Sequence, residues 1–181
     1  MSHLNHSLIL CGFTSSGKTR IGRRAAGILG VPFVDTDEYL NLQHHQTVQQ
    51  LYQADPQRFR DLEHEAALAV SALAPCVIST GGGMLTFERN ADVLRSAGWI
   101  LLIDRPFPLI WTSLQRHPER PLFRGKSMEE VQEMYDRRME IYRSVCDLVI
   151  PNAQSPEACA QMLVQSIPSL QTVFPRPAEK R

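Results

Sequence analysis

The chain is poor in the features that would mark a secreted, metal-clipped or membrane protein. Its four cysteines, Cys11, Cys76, Cys146 and Cys159, stand far apart with no C-x-x-C spacing. That spacing excludes a disulfide framework and a thiolate zinc site, and leaves free thiols in a reducing compartment. Net charge is missing too: 19 Lys and Arg balance 19 Asp and Glu. Nothing global therefore attracts nucleic acid or an anionic membrane surface. No apolar run approaches the ~20 residues of a membrane-spanning helix. Met1–Ser7 is short and polar, unlike a secretory leader, so a cytoplasmic location is expected. His3 and His6 lie in this terminal stretch, and His44 and His45 would point about 100° apart on a helix. All the histidines are read as surface residues rather than metal ligands. No repeat occurs, and 181 residues suit one domain with a full core.

What is present begins at residues 12–19, Gly-Phe-Thr-Ser-Ser-Gly-Lys-Thr, which match G-x-x-x-x-G-K-[ST]. The apolar run Leu8–Cys11 precedes them as a buried strand, and Ile21, Ala25, Ile28 and Leu29 follow with helical spacing. A strand, a glycine turn and a helix start form an anion nest of backbone N–H groups. In that nest Gly12 and Gly17 permit close backbone approach, with Thr14, Ser15 and Ser16 between them. Lys18 reaches the β- and γ-phosphates of a nucleotide, and the Thr19 hydroxyl ligates Mg²⁺. The bland alternative is a chance match in a glycine turn.

The rest of the chain alternates strands and helices. Strands are expected at 31–34, 76–79, 99–103 and 147–150, with helices near 38–44, from Pro56 to about Leu73, at 88–96, 108–115, 127–143 and 156–167. Thr47 caps a further short helix. Residues 116–126 show no apolar period and carry four cationic side chains. The segment after Pro168 contains Pro175 and Pro177 and is read as a disordered tail, 168–181, behind a domain of 1–167. The alternation predicts an α/β fold, a doubly wound, mostly parallel five-stranded sheet with helices on both faces. Ligands of such sheets sit outside the carboxyl ends of the strands.

Those ends hold the remaining candidates. Asp35 and Asp37 flank Thr36, and in an extended segment they face the same way. One can hold a water of the magnesium shell and the other can take a proton from an acceptor hydroxyl. The alternative is a pair of N-caps for the next helix. Gly81, Gly82 and Gly83 each cost folding entropy, on the order of 0.5–1 kcal/mol against Ala. They either present amides to a ligand or form a hinge. Arg60, Arg120 and Arg138 could be solvated, but phosphoryl transfer needs one cation at the transferring group and others forked onto an acidic acceptor.

Together, GFTSSGKT at 12–19, DTD at 35–37, FRDLE at 59–63, GGG at 81–83, RPLF at 120–123 and RRMEIY at 137–142 resemble the shikimate kinases. The resemblance runs from about Leu8 to Ile167. It implies a P-loop kinase that moves the ATP γ-phosphate, with Mg²⁺, onto the 3-hydroxyl of shikimate in chorismate and aromatic amino acid biosynthesis. It implies that Lys18 and the loop amides hold the phosphates, and that Thr19 ligates the metal with Asp35 behind it through water. Asp37 would accept a hydrogen bond from the attacking hydroxyl, Arg60 and Arg138 would bind the carboxylate, and Gly81–Gly83 would lie near the ring hydroxyls. Arg120 would swing in on a mobile lid of about residues 113–126. Arg116 and the segment 152–156, with Gln154, correspond in position to the adenine contacts. One departure stands out: the family usually has a third glycine where this chain has Ser15, so a slightly different loop backbone is expected.

Gluconate kinase or another small-metabolite kinase would share the loop and lid but need not carry DTD, FR and GGG together. A non-catalytic nucleotide-binding module would have lost Lys18, Asp37 or Arg120, and all are intact. A nucleoside monophosphate kinase would need a larger acceptor site. No exposed apolar stripe demands a partner, so a monomer is expected.

Overall fold

The short apolar runs become strands because both of their faces are covered. The computed structural model describes residues 4–73, 75–116, 123–153 and 155–175. Its five strands are β1 (Ser7–Cys11), β2 (Phe33–Asp35), β3 (Val77–Ser79), β4 (Gly98–Asp104) and β5 (Leu148–Pro151), all parallel, in the order β2-β3-β1-β4-β5. The five-stranded doubly wound sheet expected from the alternation is therefore found. Successive side chains divide between the faces as the pleat requires. Leu8, Leu10, Trp99, Leu101 and Ile103 join one apolar cluster, and Ile9, Cys11, Ile100 and Leu102 join the other.

The first face is covered by α1 (Lys18–Leu29) and α8 (Pro156–Val173), through Ile21, Ala25, Leu163 and Ile167. The second lies under α4 (Pro56–Ser71), α5 (Glu88–Ala97), α6 (Phe107–Gln115) and α7 (Met128–Val145). Two smaller helices, α2 (Thr36–His44) and α3 (Val48–Ala54), bridge β2 to α4. Local chemistry fixes several boundaries. Thr47 and Gln50 form a capping box on α3, Ser127 and Glu130 form one on α7, and Asp55 caps α4 ahead of Pro56. The chain leaves β1 for one face and β3 for the other, which opens a crevice above their carboxyl ends.

Two expectations change. α8 continues through Pro168 to Val173, with Ile167 and Leu170 buried against the sheet. Burial of that stripe outweighs the backbone bond lost at Pro168, so residues 168–173 are helix, not tail. Residues 176–181 lie outside the described residues. His6 is packed edge-on against Trp99 with ring centroids 5.1 Å apart, and His64 places Nδ1 2.9 Å from Asn90 Oδ1, so neither is a free surface residue. The four cysteines are unpaired as expected; Cys11, Cys76 and Cys159 are buried and Cys146 is half-buried. Among the described residues no helix is long and apolar enough to cross a membrane.

Gly98 sets the join of β4 to β1. It pairs in register with Ser7, and a Cβ there would collide with the Ser7 carbonyl oxygen and lie 2.6 Å from its carbon. The backbone itself is extended, so the constraint is space. Gly98→Ala is expected to cost about 2–4 kcal/mol, in the range of overpacking that forces backbone movement. Urea denaturation checks it, and an unchanged midpoint would refute the steric argument.

Candidate active site

The loop between β1 and α1 is shaped by backbone geometry before any side chain acts. Gly12 and Gly17 sit at φ 142° and 94°, conformations that favour glycine. Ser15 also takes the left-handed region, at φ 66°, so the serine accepts a glycine-type backbone. Gly17 then serves as the N-cap of α1, and the dipole of that helix adds to the amides in front of it. Phe13 is buried and anchors the loop, 5.4 Å from Tyr135 and 5.7 Å from Phe123 between ring centroids. Lys18 Nζ donates to the carbonyls of Gly12 at 2.8 Å and Phe13 at 3.0 Å. Among the described residues, the buried side-chain oxygens without a partner are those of Ser15 and Ser16, both in this loop. Thr14 is half-buried and faces Gly82.

The second strand end behaves differently from an extended pair. Asp35 closes β2 and caps α2, its Oδ1 accepting from the amides of Asp37 at 3.0 Å and Glu38 at 3.3 Å. Its other oxygen accepts from Thr19 Oγ1 at 2.8 Å. Asp37 lies in the first turn of α2, so the two carboxylates do not share a strand face. One aspartate thus both caps a helix and meets the hydroxyl at the start of α1. Burial, reinforced by the negative charge of Asp35, raises the Asp37 carboxyl to about 6, with Lys18 opposing.

The three glycines at the end of β3 make room. A Cβ on Gly81 would overlap Asp37 Oδ1, one on Gly82 would lie 2.9 Å from Thr14 Oγ1, and one on Gly83 3.0 Å from Arg60 Nη1. All three have ordinary φ, and the Gly81 amide is already given to Thr36 Oγ1 at 2.9 Å. The expectation of an open amide array is therefore corrected at Gly81. The Gly82 carbonyl accepts from Arg138 Nη1 at 3.1 Å and from the Tyr142 hydroxyl.

These groups surround a cavity of about 720 Å³ lined by Thr14, Asp37, Arg60, Gly81–Gly83 and Arg138, closed by Phe59, Phe123 and the α3 residues Val48, Gln49, Tyr52 and Gln53. Arg60 is held within it. Its Nη1 lies 2.6 Å from Glu63 Oε2, and its guanidinium sits 5.2–5.3 Å from the Tyr52, Phe59 and Phe87 rings. Glu63 is 2% exposed, and burial raises its carboxyl while Arg60 pulls it down. Arg138 lies over the Phe13 ring at 5.6 Å. Among the described residues no cluster of three His, Cys, Asp or Glu could hold a metal. The oxygen pair of Thr19 and Asp35 nevertheless suits a hard cation that keeps most of its waters.

Sequence reasoning missed the groups that act from behind. Glu63 stands three residues after Arg60 in FRDLE, but its role as the buried partner of that arginine appears only in the structure. Arg105, which donates to Ser15 O at 2.7 Å, gave no signal, and Asn152, which the resemblance puts in the adenine segment, donates to Ser16 O at 2.6 Å and so supports the loop. Arg116 is exposed at the C-terminal cap of α6. Arg120 and Gln154 lie outside the described residues.

Comparison with known proteins points the same way as the motifs. A family model described as shikimate kinase matches residues 14–168. The shikimate kinase 2 of Shigella boydii is 35% identical over 84% of this chain and 90% of its own length. A shikimate kinase from Acinetobacter baumannii, solved in complex with shikimate, superimposes with a TM-score of 0.85 at 26% identity, covering 91% of this chain and 93% of that one. A gluconokinase from Sinorhizobium meliloti reaches a TM-score of 0.63 at 14% identity over 96% of this chain and 97% of its own, a likeness of fold alone. With a family match over most of its residues and a relative a third identical, the chain belongs to the shikimate kinase family.

Proposed function

We propose that this chain catalyses magnesium-dependent transfer of the ATP γ-phosphoryl group to the 3-hydroxyl of shikimate, releasing ADP and shikimate 3-phosphate for chorismate and aromatic amino acid biosynthesis. The observation that carries the reading is a shared wall: the anion-binding loop meets, at Thr14 and Gly82, a cavity bearing the guanidiniums of Arg60 and Arg138, the carboxylate of Asp37 and that of Glu63, the last already paired with Arg60. Shikimate, a small ring with one carboxylate and several hydroxyls, matches that inventory.

The loop residues Gly12, Thr14, Ser15, Ser16 and Gly17 cradle the phosphates, and the unpartnered Ser15 and Ser16 hydroxyls suit an oxygen-rich ligand. Lys18 trades its loop carbonyls for phosphate oxygens. Thr19 and Asp35 would hold magnesium, which supplies charge neutralisation at the phosphates. Arg60 and Arg138 fork onto the shikimate carboxylate. Glu63, locked under Arg60, keeps that guanidinium aimed into the cavity. Gly81–Gly83 leave space for the ring. Asp37 accepts a hydrogen bond from the attacking hydroxyl and takes up its proton at the carboxylate. Its raised affinity for protons suits that task near neutral pH. Arg120 closes on the γ-phosphate with the 113–126 segment, excluding water that would otherwise hydrolyse ATP, while Arg116 and Gln154 flank the adenine.

The direct test is shikimate-dependent ADP release with and without Mg²⁺, beside gluconate as acceptor. Turnover is expected with shikimate and Mg²⁺ alone; preference for gluconate would overturn the assignment. In the same assay Arg60→Ala and Arg138→Ala should each raise the KM for shikimate at least about tenfold, as loss of a charged hydrogen-bonding partner implies, with little change for ATP. Equal loss on both substrates would remove the arginines from the acceptor site.

Asp37 yields a prediction in which activity and stability diverge. With its carboxyl raised to about 6 in the free enzyme, kcat/KM for shikimate should fall as pH drops through that value because the base becomes protonated. Asp37→Asn should lower kcat at least about a hundredfold and abolish this acid limb. Folding has the opposite sign. The folded carboxyl binds its proton more tightly than the unfolded one, so stability declines as pH rises from roughly 4 to 6. Above that window the ligand-free Asp37→Asn variant should be more stable by about 1–2 kcal/mol, a value reduced because the carboxylate faces an open cavity. Thermal unfolding at pH 7.5 checks it. A destabilised variant would mean that Asp37 serves chiefly to hold the fold.

A further inference from the structure

Ser15 combines two properties that a phosphate loop does not need from a serine. Its φ of 66° is one that L side chains rarely adopt, and its hydroxyl is buried without a partner. The Phe13–Ser16 turn requires a positive φ at its third residue, but neither that turn nor the serine side chain explains how a non-glycine residue is held there. The explanation lies on the far side of the peptide.

The peptide between Ser15 and Ser16 is tied at both ends. Its carbonyl accepts from Arg105 Nη1 at 2.7 Å, and its N–H donates to Phe13 O at 3.1 Å. Arg105 follows directly after β4, 90 residues away along the chain, and is itself fixed. Its own carbonyl accepts from the Tyr135 hydroxyl at 3.0 Å, and Tyr135 packs against Phe13. One core tyrosine thus supports the loop's buried ring and the backbone of the arginine that holds the loop's carbonyl. Neighbouring Asp104 is paired with Arg143 at 3.1 Å, which leaves the Arg105 side chain directed at Ser15.

We propose that Arg105 is a positioning residue for phosphoryl transfer: by holding the Ser15 carbonyl it keeps a non-glycine residue left-handed and so preserves the amide cradle for the triphosphate. A charged donor on a carbonyl is strong enough to offset the left-handed penalty of a serine, which is of similar size. The proposal rests on the kinase reading for its consequence, but not for its geometry. Relaxation of Ser15 to negative φ would turn the 15–16 peptide and break the Ser16–Phe13 bond. With glycine at this position the left-handed conformation costs nothing, so the need for Arg105 should disappear.

That dependence distinguishes positioning from general support, and a double-mutant cycle reads it. In the nucleotide-free enzyme, Arg105→Ala is expected to speed hydrogen exchange of the Ser16 amide about tenfold, or about 1.4 kcal/mol. In the S15G background the same substitution should change exchange less than about twofold. With ATP, Arg105→Ala should raise the KM for nucleotide about tenfold while leaving the KM for shikimate alone, and S15G/R105A should differ little from S15G. Unchanged Ser16 exchange in Arg105→Ala, or an equal effect in both backgrounds, overturns the proposal. Failure of the unaltered enzyme to bind ATP would instead defeat the kinase reading, and the exchange comparison would still decide the role of Arg105.

Discussion

The pairing of β1 on both sides is the constraint on which the rest depends. Leu8, Ile9 and Leu10 are locked in register to β3 through Val77, Ile78 and Ser79, and to β4 through Trp99, Ile100 and Leu101. All six of those neighbours and the strand itself are buried, so the register cannot slip without exposing both clusters. The consequence is positional. The loop after β1, the glycines after β3 and Arg105 after β4 all emerge at one edge, although they lie as much as 90 residues apart. The strand ends on which a phosphate nest, an acid and paired cations depend are thereby brought to one edge by apolar burial.

The groups so assembled are uncomfortable ones. Asp37 sits near Asp35 and Glu63, and its proton affinity rises for that reason as well as from burial. Glu63 is buried with Arg60 as its partner, a pair whose desolvation offsets much of its attraction. Ser15 is left-handed. Each is a local cost that the surrounding core must outweigh. Strain of this kind clusters at functional sites because only there does it have a use.

The sequence was legible where a single stretch of chain decides the outcome. The alternation of runs such as Leu8–Cys11 with helical periods gave the doubly wound class, and 12–19 gave the loop with its flanking elements. Boundaries that depend on capping were readable at Thr47 and Ser127. Failures came where tertiary contact overrides local preference. Asp37 reads as extended beside Asp35, but the cap made by Asp35 pulls it into the first helical turn. Pro168 reads as a stop, but burial of Leu170 carries the helix past it. The glycine triplet reads as an amide array or a hinge, whereas the side chains of Asp37, Thr14 and Arg60, all from other elements, are what exclude a Cβ. No local rule could reveal Arg105 or Asn152 as supports of the loop.

A final point concerns how such a site stays both stable and ready. Polar groups enclosed without partners cost more than partnered ones return, so a preformed cradle is a liability when empty. Here the functional groups wait on placeholders. Lys18 rests on the Gly12 and Phe13 carbonyls, Thr19 on Asp35, and Arg138 on the Gly82 carbonyl. Ligand binding then exchanges one hydrogen bond for another rather than creating each from a hydrated group. The helix start of α1 already stands behind the loop, with Gly17 as its N-cap. Preorganised dipoles of that kind stabilise developing charge without moving at the moment of reaction. The hydroxyls of Ser15 and Ser16, buried with no placeholder, mark where the exchange has nothing to give up. On the kinase reading, a phosphate oxygen arriving there would give each hydroxyl the partner that the folded chain does not supply.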